Sequence, residues 1–156
     1  MEDAGIYARS IPEFGRVVQV GVAGGRMVSV SFPRDPDSEA RTEHPILDQI
    51  EAYAGGEREQ FEDVTVALTI PTDLRTVLET LETVPYGETV TVEALSRMTP
   101  GLDAEDIDDQ GTVRTALAEN PTPIFIPDHR VIDGRSAAPA EIATRLREIE
   151  GIAGTG

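Results

Sequence analysis

Two histidines, His44 and His129, and no cysteine set the limits of the chemistry open to this chain of 156 residues. Without a thiol there is no cysteine nucleophile, no thiolate metal ligand and no disulfide. Neither histidine stands with Asp or Glu at metal-ligand spacing, so no metal and no cofactor is expected. The acidic run over 103–109 lacks the spacing and the glycine of a calcium loop and reads as a solvated face. Asp128 beside His129 is a candidate acid–base pair, although residues adjacent on a strand point to opposite faces.

The charge surrounding these groups is lopsided. All thirteen basic residues are Arg, against 29 Asp and Glu, for a net charge of −16. Such a surface repels nucleic acid, anionic lipid and other copies of itself at low ionic strength. At about 1 M salt the Debye length falls to about 3 Å and the repulsion is screened. Abundant carboxylates with no lysine therefore fit a salt-rich cytoplasm, the compartment expected here. No apolar run approaches the about 18 residues of a membrane span, and no basic-then-apolar leader opens the chain. At 39% hydrophobic residues the sequence is that of a folded protein, with a length suited to one domain or two small ones.

The elements that must position the site follow from periodicity. Residues 1–14 show no clear period and read as a lead-in. Arg16–Val22 and Met27–Phe32 alternate and flank Ala23-Gly24-Gly25-Arg26, a hairpin pattern. His44–Ala54 is helical, with Pro45 in its first turn and Gly55-Gly56 after its end. Phe61–Ile70 reads as a third strand, completing a strand-rich α+β unit over residues 1–70. In the second unit, 71–156, Thr72 reads as the cap of a helix over 73–83 carrying Leu74, Val77, Leu78 and Leu81. Thr91 caps a short helix with Val92, Leu95 and Met98 inward. One turn over 103–109, a helix over 112–118, a strand at Ile124–Ile126 and a last helix from Pro139 with Ile142, Leu146 and Ile149 inward complete the reading. The helices 92–98 and 112–118, joined by a tight turn, suggest a helix-turn-helix.

Two strings in the second unit are more specific than any period. They are Val84-Pro85-Tyr86-Gly87-Glu88-Thr89-Val90-Thr91 and Glu119-Asn120-Pro121-Thr122-Pro123-Ile124-Phe125-Ile126-Pro127-Asp128-His129-Arg130-Val131-Ile132. They resemble the methylated-DNA–protein cysteine methyltransferases, the DNA alkyltransferases that repair alkylated guanine, whose pattern reads PYGET-S-Y and NP-PI-IPCHRVI. The hairpin, HPILDQIEAY and GERE-F extend the resemblance over nearly the whole chain. It implies an α+β N-terminal domain followed by a helical DNA-binding domain. In that family a thiolate, activated by His through water and a Glu, takes the alkyl group from a flipped-out base.

The resemblance places Asp128 at the nucleophile, His129 at the activating His, Asn120 at the structural Asn and Glu150 at the Glu. The thiol is thus missing while its supporting residues remain. A carboxylate at 128 would form a hydrolysable ester but is a far poorer nucleophile than a thiolate, so Asp128 is expected to be a solvated or turn-capping residue in a degenerate site. His129 is expected to direct its ring toward Glu150 or water. The arginine that fills the place of the flipped base falls on Gly111, with Arg114 one turn later, and the tyrosine of PYGET-S-Y falls on Val92. The loop Asp133–Ala138 is short and lacks an aromatic. DNA contacts are expected from Arg114 first and from Arg130 second, the family counterpart of Arg130 being equally a structural residue, with Gly111 and Thr91 as further DNA-binding positions. Residues 103–120 carry six acids against the single Arg114, so any duplex binding is expected to be weak. The resulting reading is a non-catalytic alkyltransferase-like protein that binds DNA or alkylated guanine, with a DNA-repair protein as a further partner. The alternative is a protein-interaction scaffold that has lost DNA binding.

Overall fold

The computed structural model describes residues 4–58, 61 and 63–152. Three antiparallel strands, β1 (Gly5–Ile11), β2 (Arg16–Ala23) and β3 (Arg26–Ser31), form a meander in the order β1-β2-β3. The β2–β3 hairpin turns at Gly24 and Gly25, both in the left-handed region, as the sequence pattern requires. β1 corrects the expected lead-in. It pairs with β2 along its whole length, Tyr7 opposite Val20 and Arg9 opposite Val18. The segment expected as a third strand is no strand. From Thr65 to Ala67 it forms a lone parallel bridge, Met27 N donating to Thr65 O and Ala67 N to Met27 O. Residue 62 lies outside the described residues.

Five α-helices follow: α1 (Pro45–Ala54), α2 (Thr72–Leu81), α3 (Val92–Met98), α4 (Ile107–Ala118) and α5 (Ala140–Ile149). α1 starts where His44 Nδ1 accepts from Ile46 N, and it buries Ile46, Leu47, Ile50 and Tyr53. In α2 the apolar stripe is as expected, but Thr72 is the first helical residue and Pro71 occupies the cap. Thr91 does cap α3, its Oγ1 accepting from Ala94 N, whereas Met98 points outward and is 44% exposed. α4 begins one and a half turns before the expected 112. Asp106 caps it by accepting from Asp108 N and Asp109 N, and Asp108 and Asp109 lie at the positive end of the helix dipole. The connection from α3 therefore runs over 99–106 and is longer than a tight turn. Ile124–Ile126 is a turn, with Ile124 at φ 86, and Asp128–Arg130 is a 3-10 turn.

The core consists of two apolar clusters, and their membership does not divide at residue 70. The first joins the sheet and α1 to Tyr86, Phe125, Ile142 and Leu146. The second joins α2, α3 and α4 to Ile126 and Val131, and Val66 packs against both. No described helix is long and apolar enough to cross a membrane.

Candidate functional site

The segment 120–131 runs between the two clusters and is held at both ends. Asn120 Nδ2 donates to Ile126 O at 3.0 Å, while its Oδ1 accepts from Thr122 N. Val90 N donates to Arg130 O and Ile132 N to Val90 O, so the string at 84–91 and the string at 119–132 are tied by backbone. Between these ties the 3-10 turn sends Asp128 and His129 into different surroundings, both 0% exposed.

Asp128 is buried in the 3-10 turn, so the solvated one of its two expected roles does not apply. Its Oδ2 accepts from Asn120 Nδ2 at 3.0 Å and Ala137 N at 2.9 Å, and its Oδ1 from Ser136 Oγ at 2.5 Å. Burial raises its pKa, and the hydrogen bonds from Ser136, Ala137 and Asn120 oppose that shift. The carboxylate ties the loop 133–138 to the turn, with no oxygen left facing a substrate.

Glu150 gathers the other half of the site. His129 Nε2 donates to its Oε2 at 2.6 Å and Tyr53 OH at 2.5 Å. Arg130 donates from Nε to Oε1 at 2.8 Å and from Nη2 to Oε2 at 3.1 Å, and Gly87 N donates to Oε1 at 2.9 Å. Burial alone would raise the pKa of Glu150, yet hydrogen bonds from His129 and Arg130 hold it well below the ordinary carboxylate range. The Tyr53 hydroxyl, buried beside that carboxylate, is pushed far above its usual value. His129 Nδ1 is buried and meets no partner among the described residues.

Arg130 was expected to reach DNA. Instead its guanidinium turns inward, to Glu150 and, through Nη1, to Val84 O at 2.6 Å. Arg114 does face out, with Nη1 donating to Asp133 O at 3.1 Å. Gly111 lies inside α4 rather than at its start, and nothing stands within 4 Å of where its Cβ would be. Ile107, Gly111, Arg114 and Ala118 recur at helical spacing and form an outer stripe without an acid. Three of the six acids in 103–120 are spent locally: Asp106 caps α4, Asp109 Oδ2 accepts from Asp103 N, and Asp103 Oδ1 accepts from Glu105 N. Gly134 is fixed by contact with the same helix, since a Cβ there would lie 2.5 Å from Leu117 Cδ1. Tyr53 ends the HPILDQIEAY string, which assigns it no role, and Ser136 and Arg147 belong to the site without any motif marking them; Arg147 Nε donates to His129 O at 2.8 Å.

A small meander packed on a helical unit, with an Asn-Pro turn feeding a buried His–Glu–Tyr cluster, defines the class of DNA alkyltransferase folds. A family model described as the 6-O-methylguanine DNA methyltransferase DNA binding domain matches residues 74–150. A DNA base-flipping protein of Thermus thermophilus is 35% identical over 114 residues, covering 70% of this chain and 72% of that protein. A methylated-DNA–protein-cysteine methyltransferase of Methanopyrus kandleri is 31% identical over 132 residues, covering 80% and 95%. The crystal structure of Mycobacterium tuberculosis OGT in complex with DNA superposes with a TM-score of 0.73 at 23% identity, covering 94% of this chain and 92% of that one. The chain belongs to the methylated-DNA–protein cysteine methyltransferase family.

Proposed function

We propose that this protein is an alkyltransferase-like member of its family that binds duplex DNA through α4 and accepts no alkyl group. The observation that carries the reading is Asp128. At the nucleophile position stands a carboxylate, fully buried, with both oxygens already accepting hydrogen bonds. Around it the His129–Glu150–Tyr53 cluster is intact, so the frame is kept while the acceptor is gone. DNA as the partner is supported by the family model over 74–150 and by the relative described as a base-flipping protein. Arg114, on the acid-free stripe of α4, is the phosphate contact in this reading, with Gly111 on the same stripe and Thr91 at the N-cap of α3 as the further DNA contacts. A salt-rich cytoplasm, where surface carboxylates are screened, is its proposed setting.

The test pairs two measurements on the full chain. Incubation with a duplex bearing methylated guanine leaves the intact mass unchanged, and the methyl group stays on the DNA. Titration of labelled duplex from low to molar salt gives binding that holds or improves with salt and weakens in Arg114→Ala. A methyl mass on the protein, or turnover of methyl from the DNA, sinks the non-catalytic part. A complete lack of duplex binding at every salt favours the second reading, a protein-interaction scaffold. That reading has its own observation: Ile107 is 82% and Met98 44% exposed, at the two ends of the α3–α4 connection.

A further inference from the structure

Arginines are outnumbered by 29 acids in this chain, yet three of the thirteen line one groove. The groove, about 720 Å³, lies between α4, the loop 133–138 and one face of α5. Arg114 enters from α4, Arg135 from the loop and Arg147 from α5. Among the described residues none of the three has a carboxylate within ion-pair distance, whereas Arg9, Arg16, Arg97, Arg130 and Arg145 each do. Arg147 is anchored through Nε on His129 O, which leaves both Nη groups for the groove. Arg114 is held through Nη1 on Asp133 O and keeps its other donors. Asp133 is the carboxylate on the wall, and its Oδ1 is taken by Val92 N at 2.7 Å. Along α5 the wall is small, with Ala140 and Ala143, so space remains between the guanidinium groups.

Three cations brought together with one carboxylate, Asp133, on the wall still carry a net positive charge and repel one another, and an anion between them offsets that cost. A planar carboxylate is served by one arginine fork. Donors arriving from three walls suit a tetrahedral oxyanion with acceptor oxygens on every side. We propose that this groove is a phosphate-binding site, taking either a backbone phosphodiester of DNA or a free phosphate group. It goes beyond the DNA reading and shares with it Arg114 alone. The site also gives the short loop a purpose: Asp128, by holding Ser136 Oγ and Ala137 N, fixes the backbone that carries Arg135.

The experiment uses the full chain, isotope-labelled, at constant ionic strength in potassium chloride. Inorganic phosphate is titrated while the amide resonances of Ala140 and Thr144 and the Arg147 Nε resonance are followed. In parallel, duplex affinity is measured for the wild type, R135Q and R147Q. Saturable shifts on phosphate addition, with affinity reduced about tenfold in R135Q, support the site, since a charge-assisted hydrogen bond is worth about that much. Among the described residues Arg135 makes no hydrogen bond or ion pair, so R135Q remains informative even where R147Q disturbs His129. Saturation with unchanged duplex affinity in both variants assigns the groove to free phosphate. A fall in duplex affinity in R135Q and R147Q without phosphate saturation assigns it to the phosphodiester. Linear, unsaturable shifts together with unchanged duplex affinity overturn the proposal. If the wild type binds no duplex at all, the DNA reading fails and the phosphate titration alone decides this one.

Discussion

Replacing Glu150 with glutamine keeps the shape of the side chain and removes its charge from beneath Arg130. In the native protein five donors converge on that carboxylate: Tyr53 OH, Gly87 N, His129 Nε2, and Arg130 Nε and Nη2. The Glu150 side chain is 0% exposed and that of Arg130 only 11%, so water cannot take over the pairing. Breaking a buried ion pair from one side costs about 3–5 kcal/mol. With a urea slope of about 2 kcal/mol/M, the unfolding midpoint of Glu150→Gln falls by about 2 M. The matched control is Glu148→Gln, which removes the same charge two residues earlier, in the last turn of α5. Glu148 is exposed and 3.7 Å from Arg145, so its loss costs under about 1 kcal/mol. Urea melts monitored by circular dichroism in molar salt compare the two. The difference also has a sign in pH. Glu150 is held below its ordinary value of 4.5, so its ionisation stabilises the fold above that value, and the stabilisation is lost as pH falls. The gap between wild type and Glu150→Gln therefore narrows on acidification from about pH 5 to pH 2. Equal midpoints for Glu150→Gln and Glu148→Gln, or a gap that stays constant through acid, would refute the buried-pair argument.

Asp128 gives the opposite pH sign. Its pKa is raised, so its protonation favours the fold at low pH and that contribution is lost as pH rises. Asp128→Asn keeps an oxygen for Asn120 and Ala137 and presents an amide to Ser136; it melts at or above wild type near neutral pH, and wild type gains on it in acid. Asp128→Ala leaves Ala137 N and Ser136 Oγ without their acceptor and costs about 1–3 kcal/mol, read by the same melts. Gly134→Ala drives a methyl to within 2.5 Å of Leu117 Cδ1 and 3.0 Å of Val131 Cγ1, so overpacking lowers stability by about 1–3 kcal/mol, seen as a lower Tm in calorimetry. For the wild type, Tm rises from low to molar potassium chloride as 29 acids against 13 arginines are screened; a flat or falling Tm removes the proposed saline setting.

Much of the helical architecture was legible because α1, α2, α3 and α5 bury residues at regular helical spacing. α4 hid its first turns. Asp108, Asp109, Gln110 and Gly111 carry no apolar period, and the helix there rests on the Asp106 cap and the dipole. β1 was illegible for a tertiary reason: Arg9 interrupts its pattern, yet its guanidinium is absorbed by Asp48 and Glu51 on α1 and by Thr42 O. At the site, the second string brought Asn120, Asp128 and His129 together because their order matches a known pattern, and the resemblance added Glu150 beyond it. Tyr53 lay in a string matched as a whole, and neither that match nor periodicity says where its hydroxyl points. Arg130 read as a surface cation because a sequence does not reveal that its counter-ion arrives twenty residues later.

The distance along the chain between those partners has a consequence for biogenesis. Tyr53 waits 97 residues for Glu150, and His129 and Arg130 wait 21 and 20. A chain made from its N-terminus at about 5–20 residues per second therefore holds its sheet and first helix seconds before the acceptor that completes its interior has been synthesised. Until residue 150 clears the ribosome, a guanidinium destined for the interior has no counter-charge, and the half-made chain cannot close over it. Completion of this interior thus waits on residue 150, so that the C-cap of α5 acts as the latch.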